Sequence, residues 1–198
     1  MPKQSSTKSQ RTSSDKRPRV KIISEKVAYQ GPVFGVTTFH VKEPGGIEVR
    51  RDVVTHSGSV VVMPVDDSGT KPKVLLVRQY RQPARQYLWE FPAGRIDKHK
   101  GEASLAGAKR ELIEETGITA KKWELAFRFW ASPGFLDETM DLYVARAITH
   151  GDAQPEDDEN IEIRWFPLKT AVRMAMSGEI PDAKTIAGIL WLARKMKL

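Results

Sequence analysis

Residues 102–118 read EASLAGAKRELIEETGI, and they gather four glutamates, Glu102, Glu111, Glu114 and Glu115, around one arginine, Arg110. Leu105, Ala108 and Leu112 recur at helical spacing, and Gly117 suits a helix end, so 102–116 reads as an α-helix. At about 3.6 residues per turn, Glu111 and Glu115 share one face with Glu114 beside them. Like charges so placed destabilise a helix unless something neutralises them. Divalent cations that prefer oxygen ligands, Mg²⁺ or Mn²⁺, would do so. Arg110 stands four residues before Glu114 and is spaced to pair with it. Leu105 and Leu112, on the neighbouring face, are expected to anchor the helix in a core.

Upstream of this helix the pattern is one of strands. VKIISEKVAYQ (20–30), VFGVTTFHVKE (33–43) and IEVRRDVVTH (47–56) read as short strands, with Pro44-Gly45-Gly46 as a turn. SVVVMPV (59–65) and KVLLVRQY (73–80) are stronger strands separated by the turn-forming DDSGTKP, and 88–91 is a short one. Downstream, strands are expected near 122–131, 139–148 and 160–166, with the acidic loop DAQPEDDEN (152–160) before the last. The chain then turns helical from Leu168 through Met176 and again from Asp182 to Lys197. Strands with interleaved helices in no regular β-α repeat suggest an α/β sandwich around a mixed sheet.

Composition limits what such a fold can do. The 198 residues suffice for one well-buried domain and hardly for two. The absence of cysteine removes disulfides and thiolate zinc sites, and it fits a reducing cytoplasm. The four histidines, His40, His56, His99 and His150, show no metal-ligand spacing and read as structural or exposed. No run reaches the roughly 18 apolar residues of a membrane span, and the basic N-terminus lacks the apolar segment of a secretory signal. The expected location is therefore the cytoplasm. Six of the seven net positive charges lie in residues 1–26, so the basicity belongs to a Ser/Lys/Arg-rich tail expected to be disordered through residue 18. The body carries no charge signal for nucleic acid.

From Glu102 onward the sequence resembles the Nudix signature G-x5-E-x7-R-E-U-x-E-E-x-G-U at every specified position, U being a bulky aliphatic residue. It departs at the opening: Ile96 stands where the first glycine belongs. Gly94 is the matching glycine, so the turn before Glu102 is two residues longer than the signature's, the extra residues falling around Lys98 to Lys100. An insertion in a polar turn is easily accommodated, though it weakens any inference about the placing of Glu102. Beyond the box, Val77 to Arg81, Trp89-Glu90-Phe91-Pro92-Ala93-Gly94, Ser132-Pro133-Gly134, and Gly178-Glu179-Ile180 with Asp182 to Thr185 are similar to the ADP-ribose or ADP-sugar pyrophosphatases. Pro133 stands 16 residues past Gly117, where that subgroup has a proline.

That resemblance implies a Nudix-type α/β/α sandwich around a mixed sheet, with an N-terminal antiparallel strand element. It divides the chain into a basic tail at 1–18, a dimer-forming strand element at 19–55 and a hydrolase domain at 56–198. It implies Glu111 and Glu115 as main metal ligands, with Glu102, Glu114 and the carbonyl of Ala93 in support, Arg110 holding the Glu114 carboxylate in position. Metals bridging a diphosphate neutralise its oxygens and acidify water. Arg81 is the candidate phosphate contact, a surface salt bridge being the alternative. Glu138 in GFLDETMD is the best-placed general base and Asp137 its neighbour alternative, on a loop that closes over substrate. In the homodimers of this subgroup, N-terminal strands help build the partner's nucleobase site. Tyr29 and Phe34 would stack on adenine, with Arg50 or Arg51 reaching the terminal phosphate and Pro133 lining the site; the aromatics fit a sheet core equally well. The implied reaction is Mg²⁺-dependent hydrolysis of ADP-ribose to AMP and ribose 5-phosphate. Rival readings are another NDP-sugar such as GDP-mannose, a dinucleotide, a catalytically silent ADP-ribose sensor, and an RNA pyrophosphohydrolase aided by the tail.

Overall fold

A computed structural model describes residues 19–96, 101–151 and 161–198. The expectations for the tail, for the expanded turn near Lys98 to Lys100 and for the acidic loop at 152–160 lie outside the described residues.

Three strands, β1 (Lys21–Gln30), β2 (Phe34–Lys42) and β3 (Glu48–His56), form an antiparallel sheet in the order β1-β2-β3. Every residue of β1 is exposed, including Ile22, Ile23, Val27 and Tyr29. Tyr29 and Phe34 are therefore not core residues in the isolated chain.

The main sheet runs β10-β5-β4-β9-β8, from β10 (Glu162–Pro167), β5 (Lys73–Arg81), β4 (Ser59–Asp66), β9 (Thr139–Thr149) and β8 (Thr119–Trp130). Two short strands join it, β6 (Gln86–Glu90) on β5 and β7 (Ala93–Arg95) on β4. β4 and β9 are parallel and the other pairings antiparallel, so the sheet is mixed. Its central strands read as near-continuous apolar runs because both faces are covered. Along β4, Val61, Met63 and Val65 enter one core while Val60 and Val62 enter the other, the period-two alternation of a strand. The first core is closed by α2 (Leu168–Ser177) and α3 (Ala183–Lys195), through Leu168, Ala171, Met174, Ile189 and Leu192. The second is closed by α1 (Ser104–Thr116), through Ala108 and Leu112. The result is the α/β/α sandwich expected from the sequence. Among the described residues no helix is long and apolar enough to cross a membrane.

Gly117 ends α1 in the left-handed region, φ 68°, with its N–H donating to the Ile113 carbonyl at 2.8 Å. A Cβ penalty there is what glycine avoids. Leu105 corrects one expectation. It is exposed, and the buried face of α1 runs through Gly107, Ala108, Leu112, Glu115 and Thr116. The small residues at 107 and 108 let the helix settle on that side, which leaves Leu105 at the rim.

Candidate active site

α1 lies against β4 and β7, so its glutamates face the loop-like segment that enters the box. The contact is close at one point. A Cβ built on Gly94 would overlap the carboxylate of Glu111, so only glycine lets that carboxylate rest on the backbone beside Ala93. Glu102 similarly packs over Gly107. The opening glycine displaced by the longer turn thus keeps a definite physical task.

Arg110 organises the rest. Its Nη1 donates to Glu111 Oε1 and to Glu114 Oε2, both at 2.8 Å. Its Nε and Nη2 donate to the two oxygens of Glu102 at 2.9 and 3.1 Å, and Nη2 also reaches the carbonyl of Arg95 at 3.1 Å. The hydrogen bond to Glu102 and the surrounding carboxylates raise the guanidinium well above its ordinary range, against the opposing effect of burial. Glu115, one turn past Glu111, is buried at 4% exposure. Burying a carboxylate is costly without compensation, and four carboxylates around a single guanidinium leave a negative excess. Among the described residues no three acidic or imidazole side chains converge tightly enough to chelate one ion as they stand. Arg110 instead draws Glu102, Glu111 and Glu114 towards itself. The donor set, carboxylate and carbonyl oxygen only, is nonetheless of the kind that a hard divalent cation takes.

Glu138 comes to the same end of the sheet from 79 residues away from its partner. Ser59 Oγ donates to Glu138 Oε1 at 2.5 Å, and Ser59 stands opposite Arg95 in the β4–β7 ladder, one position from Gly94. His56 Nδ1 lies 3.4 Å from the same oxygen and accepts from the Gly58 N–H at 3.1 Å. The loop bearing Glu138 is fastened to β3: the Val54 N–H donates to Phe135 O at 2.8 Å, and the Asp137 N–H to Val54 O at 3.0 Å. Asp137 Oδ1 accepts from the His56 N–H at 2.7 Å, so this carboxylate is engaged as a loop fastener. Pro133 is exposed on the preceding turn.

Arg81 is neither free nor merely superficial. Its Nε and Nη2 donate to the two oxygens of Glu90, each at 2.9 Å, and Glu90 is 1% exposed. Glu90 also accepts from Lys184 Nζ on α3. Burial pushes the Glu90 carboxyl up, but the hydrogen bond from Arg81 and the charges of Lys184 and Arg81 outweigh it and hold it below its ordinary value. Arg81 is correspondingly raised, first by its bond to Glu90, and it also feels the charge of Glu115.

The N-terminal candidates separate into two groups. Tyr29 and Phe34 form an exposed aromatic pair with ring centroids 5.7 Å apart. Phe34 lines a cleft of ≈ 350 Å³ with Pro32, Thr55, His56, Arg95 and Ile96, and Arg95 Nη1 donates across it to Pro32 O at 2.5 Å. Arg50 and Arg51 sit elsewhere: they pair with Asp52 and Glu43 on the exposed sheet. Arg51 is five residues up β3 from His56, about 17 Å of strand, so within one chain it does not join the site. His56, Ser59 and Lys184 had no role in the sequence reading. Their partners are far away in sequence, and only the flanking WEFPAG and DAKT stretches hinted at Glu90 and Lys184.

A family model described as the NUDIX domain matches residues 55–188. The chain is 36% identical over 180 residues to an ADP-ribose pyrophosphatase of Bacillus subtilis, covering 90% of this chain and 95% of that protein. It is also 36% identical over 171 residues to an ADP-ribose pyrophosphatase of Mycobacterium tuberculosis, covering 85% and 80%. A crystal structure described as an ADP compounds hydrolase superposes with a TM-score of 0.79 at 18% identity, covering 93% of this chain and 97% of the other, which is a likeness of fold.

Proposed function

The chain belongs to the Nudix family, and from that premise we propose that it hydrolyses the diphosphate bond of ADP-ribose or a related ADP-sugar, giving AMP and a sugar phosphate. The observation that carries this reading is the meeting of three chain segments at one end of the β4–β7 ladder. Glu111 rests on Gly94, Arg110 gathers the box carboxylates, and Glu138 is tied to Ser59 opposite Arg95.

Nudix hydrolases depend on divalent metals, and Mg²⁺ or Mn²⁺ held by Glu111 and Glu115, with Glu102 and the Ala93 carbonyl in support, would neutralise diphosphate oxygens and acidify water. Arg110 keeps Glu102, Glu111 and Glu114 within reach of one another. Arg81 offers Nη1 to a phosphate oxygen while its other donors hold Glu90. Glu138 takes the proton of the attacking water, and Asp137 keeps the loop beneath it in place. The exposed apolar face of β1 and the Tyr29–Phe34 pair suit a second copy of the chain, whose assembly would bring the N-terminal element onto the partner's nucleotide site. The absence of cysteine accords with a cytoplasmic setting.

Turnover of an NDP-sugar panel with Mg²⁺ by the wild type and by Glu115→Gln tests the proposal. We expect ADP-ribose to be the best substrate and Glu115→Gln to be nearly inactive. Activity confined to GDP-sugars would defeat the substrate assignment, and full activity in Glu115→Gln would defeat the metal site.

A further inference from the structure

The charged group around Glu90 lies outside the Nudix helix, yet it is among the most deeply buried in the molecule. Glu90 has 2% of its side chain exposed and carries two cations, Arg81 from β5 and Lys184 from α3. Lys184, 12% exposed, also pairs with Asp182 at 2.9 Å. Two cations and two carboxylates balance, so the quartet adds no net charge to the site. Buried ion pairs are weak evidence for stability, because desolvation consumes most of their attraction. Their geometry is the more informative feature.

Arg81 meets Glu90 side-on, with Nε on Oε1 and Nη2 on Oε2. This two-point fork fixes the plane of the guanidinium. It leaves Nη1, which makes no hydrogen bond among the described residues, on the edge away from Glu90. The fork is only as rigid as the carboxylate it grips, and α3 supplies that rigidity. Lys184 takes Glu90 Oε2 from the helix side. One residue on, Thr185 Oγ1 accepts from the Phe91 N–H at 2.9 Å, while Asp182 caps the helix by accepting from the Thr185 N–H at 3.0 Å. Below, Gly188 admits Met63 and the Phe91 ring so closely that a Cβ there would stand 2.8 and 2.9 Å from them. The first turns of α3 therefore clamp the Glu90–Phe91 backbone and the Glu90 side chain together.

We propose that Lys184 is a positioning residue for substrate binding: through Glu90 it holds Arg81 in the orientation in which Nη1 meets a diphosphate oxygen. The inference rests on the reading of Arg81 as the phosphate contact. A guanidinium fixed before substrate arrives loses little freedom on binding. Lys184 itself acts from behind the carboxylate and touches no reacting atom, so its loss weakens binding and spares the chemical step.

The test is steady-state kinetics on ADP-ribose with Mg²⁺, alongside calorimetric binding of a non-hydrolysable ADP-ribose analogue, for Arg81→Lys, Lys184→Met, Lys184→Arg and the double variant Arg81→Lys/Lys184→Met. Lys184→Met is expected to raise KM and the analogue Kd by about tenfold, the scale of one charged hydrogen bond, with kcat within about twofold. Lys184→Arg should recover most of that loss, and in the Arg81→Lys background Lys184→Met should add little. If Lys184→Met does not fold, Lys184→Gln, which keeps an N–H donor without the charge, carries the same comparison. Unchanged KM in Lys184→Met while Arg81→Lys binds poorly would overturn the positioning role. A fall confined to kcat would overturn it too. Unchanged binding in Arg81→Lys would instead remove the phosphate-contact reading beneath it.

Discussion

Gly94 and Glu111 occupy one another's space so closely that a methyl group on Gly94 and the carboxylate of Glu111 exclude each other. Gly94→Ala must therefore push Glu111 away from the backbone beside Ala93. Overpacking of this kind costs roughly 1–3 kcal/mol, and a displacement near 1 Å at a reacting centre costs about 100-fold in rate. We expect Gly94→Ala to remain folded by circular dichroism while losing about 100-fold in turnover. Wild-type turnover in this variant would show that Glu111 need not rest where it does.

Ser59 is expected to govern the chemical step through Glu138. Removing the hydroxyl in Ser59→Ala deletes a charge-assisted hydrogen bond and should lower kcat about tenfold, with KM little changed. Glu138→Gln should lose more, on the order of 10²- to 10⁴-fold as for a general base. Pre-steady-state mixing separates this from slow product release. A Ser59→Ala enzyme with normal kcat would detach the serine from the mechanism.

Acid should weaken the protein partly through Glu90. Its carboxyl titrates below the ordinary value of 4.5 in the folded chain, so the stabilisation it provides is complete above that pH. It is lost as pH falls through the lower folded value. The stability difference between wild type and Glu90→Gln, measured by urea titration, should be widest above pH 4.5 and shrink steadily below it. A difference independent of pH would mean that Glu90 is not ionised in its pair.

The two leucines of α1 should differ sharply. Leu112 is fully buried and Leu105 is at the rim. Leu112→Ala is expected to cost about 2–5 kcal/mol, whereas Leu105→Ala should stay within about 0.5 kcal/mol. Denaturant midpoints decide the matter, and equal losses would mean that α1 is rotated from the orientation described.

The N-terminal sheet offers a fifth prediction. Val27→Lys combined with Ile22→Lys places charges on the apolar surface of β1 without touching the core. Starting from the homodimer proposed above, sedimentation should then give half the mass of the wild type. An unchanged mass would remove β1 as the surface of association.

Much of this architecture was legible in the sequence because its signals are local. The strands of the N-terminal sheet, β4, β5 and the three helices fall close to where alternation, helical spacing and turn residues place them. β7 was not legible: Ala-Gly-Arg has no strand former, and it is a strand only because β4 offers it a partner. Leu105 misled because periodicity finds a stripe but not which margin of it lies against the core when small neighbours permit closer approach. The site divides in the same way. Glu111, Glu114, Glu115 and Arg110 are neighbours on one helix, so their grouping could be read directly. Ser59 with Glu138, and Glu90 with Lys184, meet across 79 and 94 residues, and nothing in either local stretch announces the other.

Val54 gives both of its backbone groups to the loop at 135–137, which therefore lies along β3 as a fragment of strand at the edge of the N-terminal sheet. The protein has consequently no clean seam near residue 56. A shortened chain beginning there would keep Glu102 and the three glutamates of α1. The loop bearing Glu138, the proposed proton acceptor, would however lose both of its backbone hydrogen bonds to Val54. The N-terminal sheet is thus also the edge along which the segment leading to Glu138 is laid.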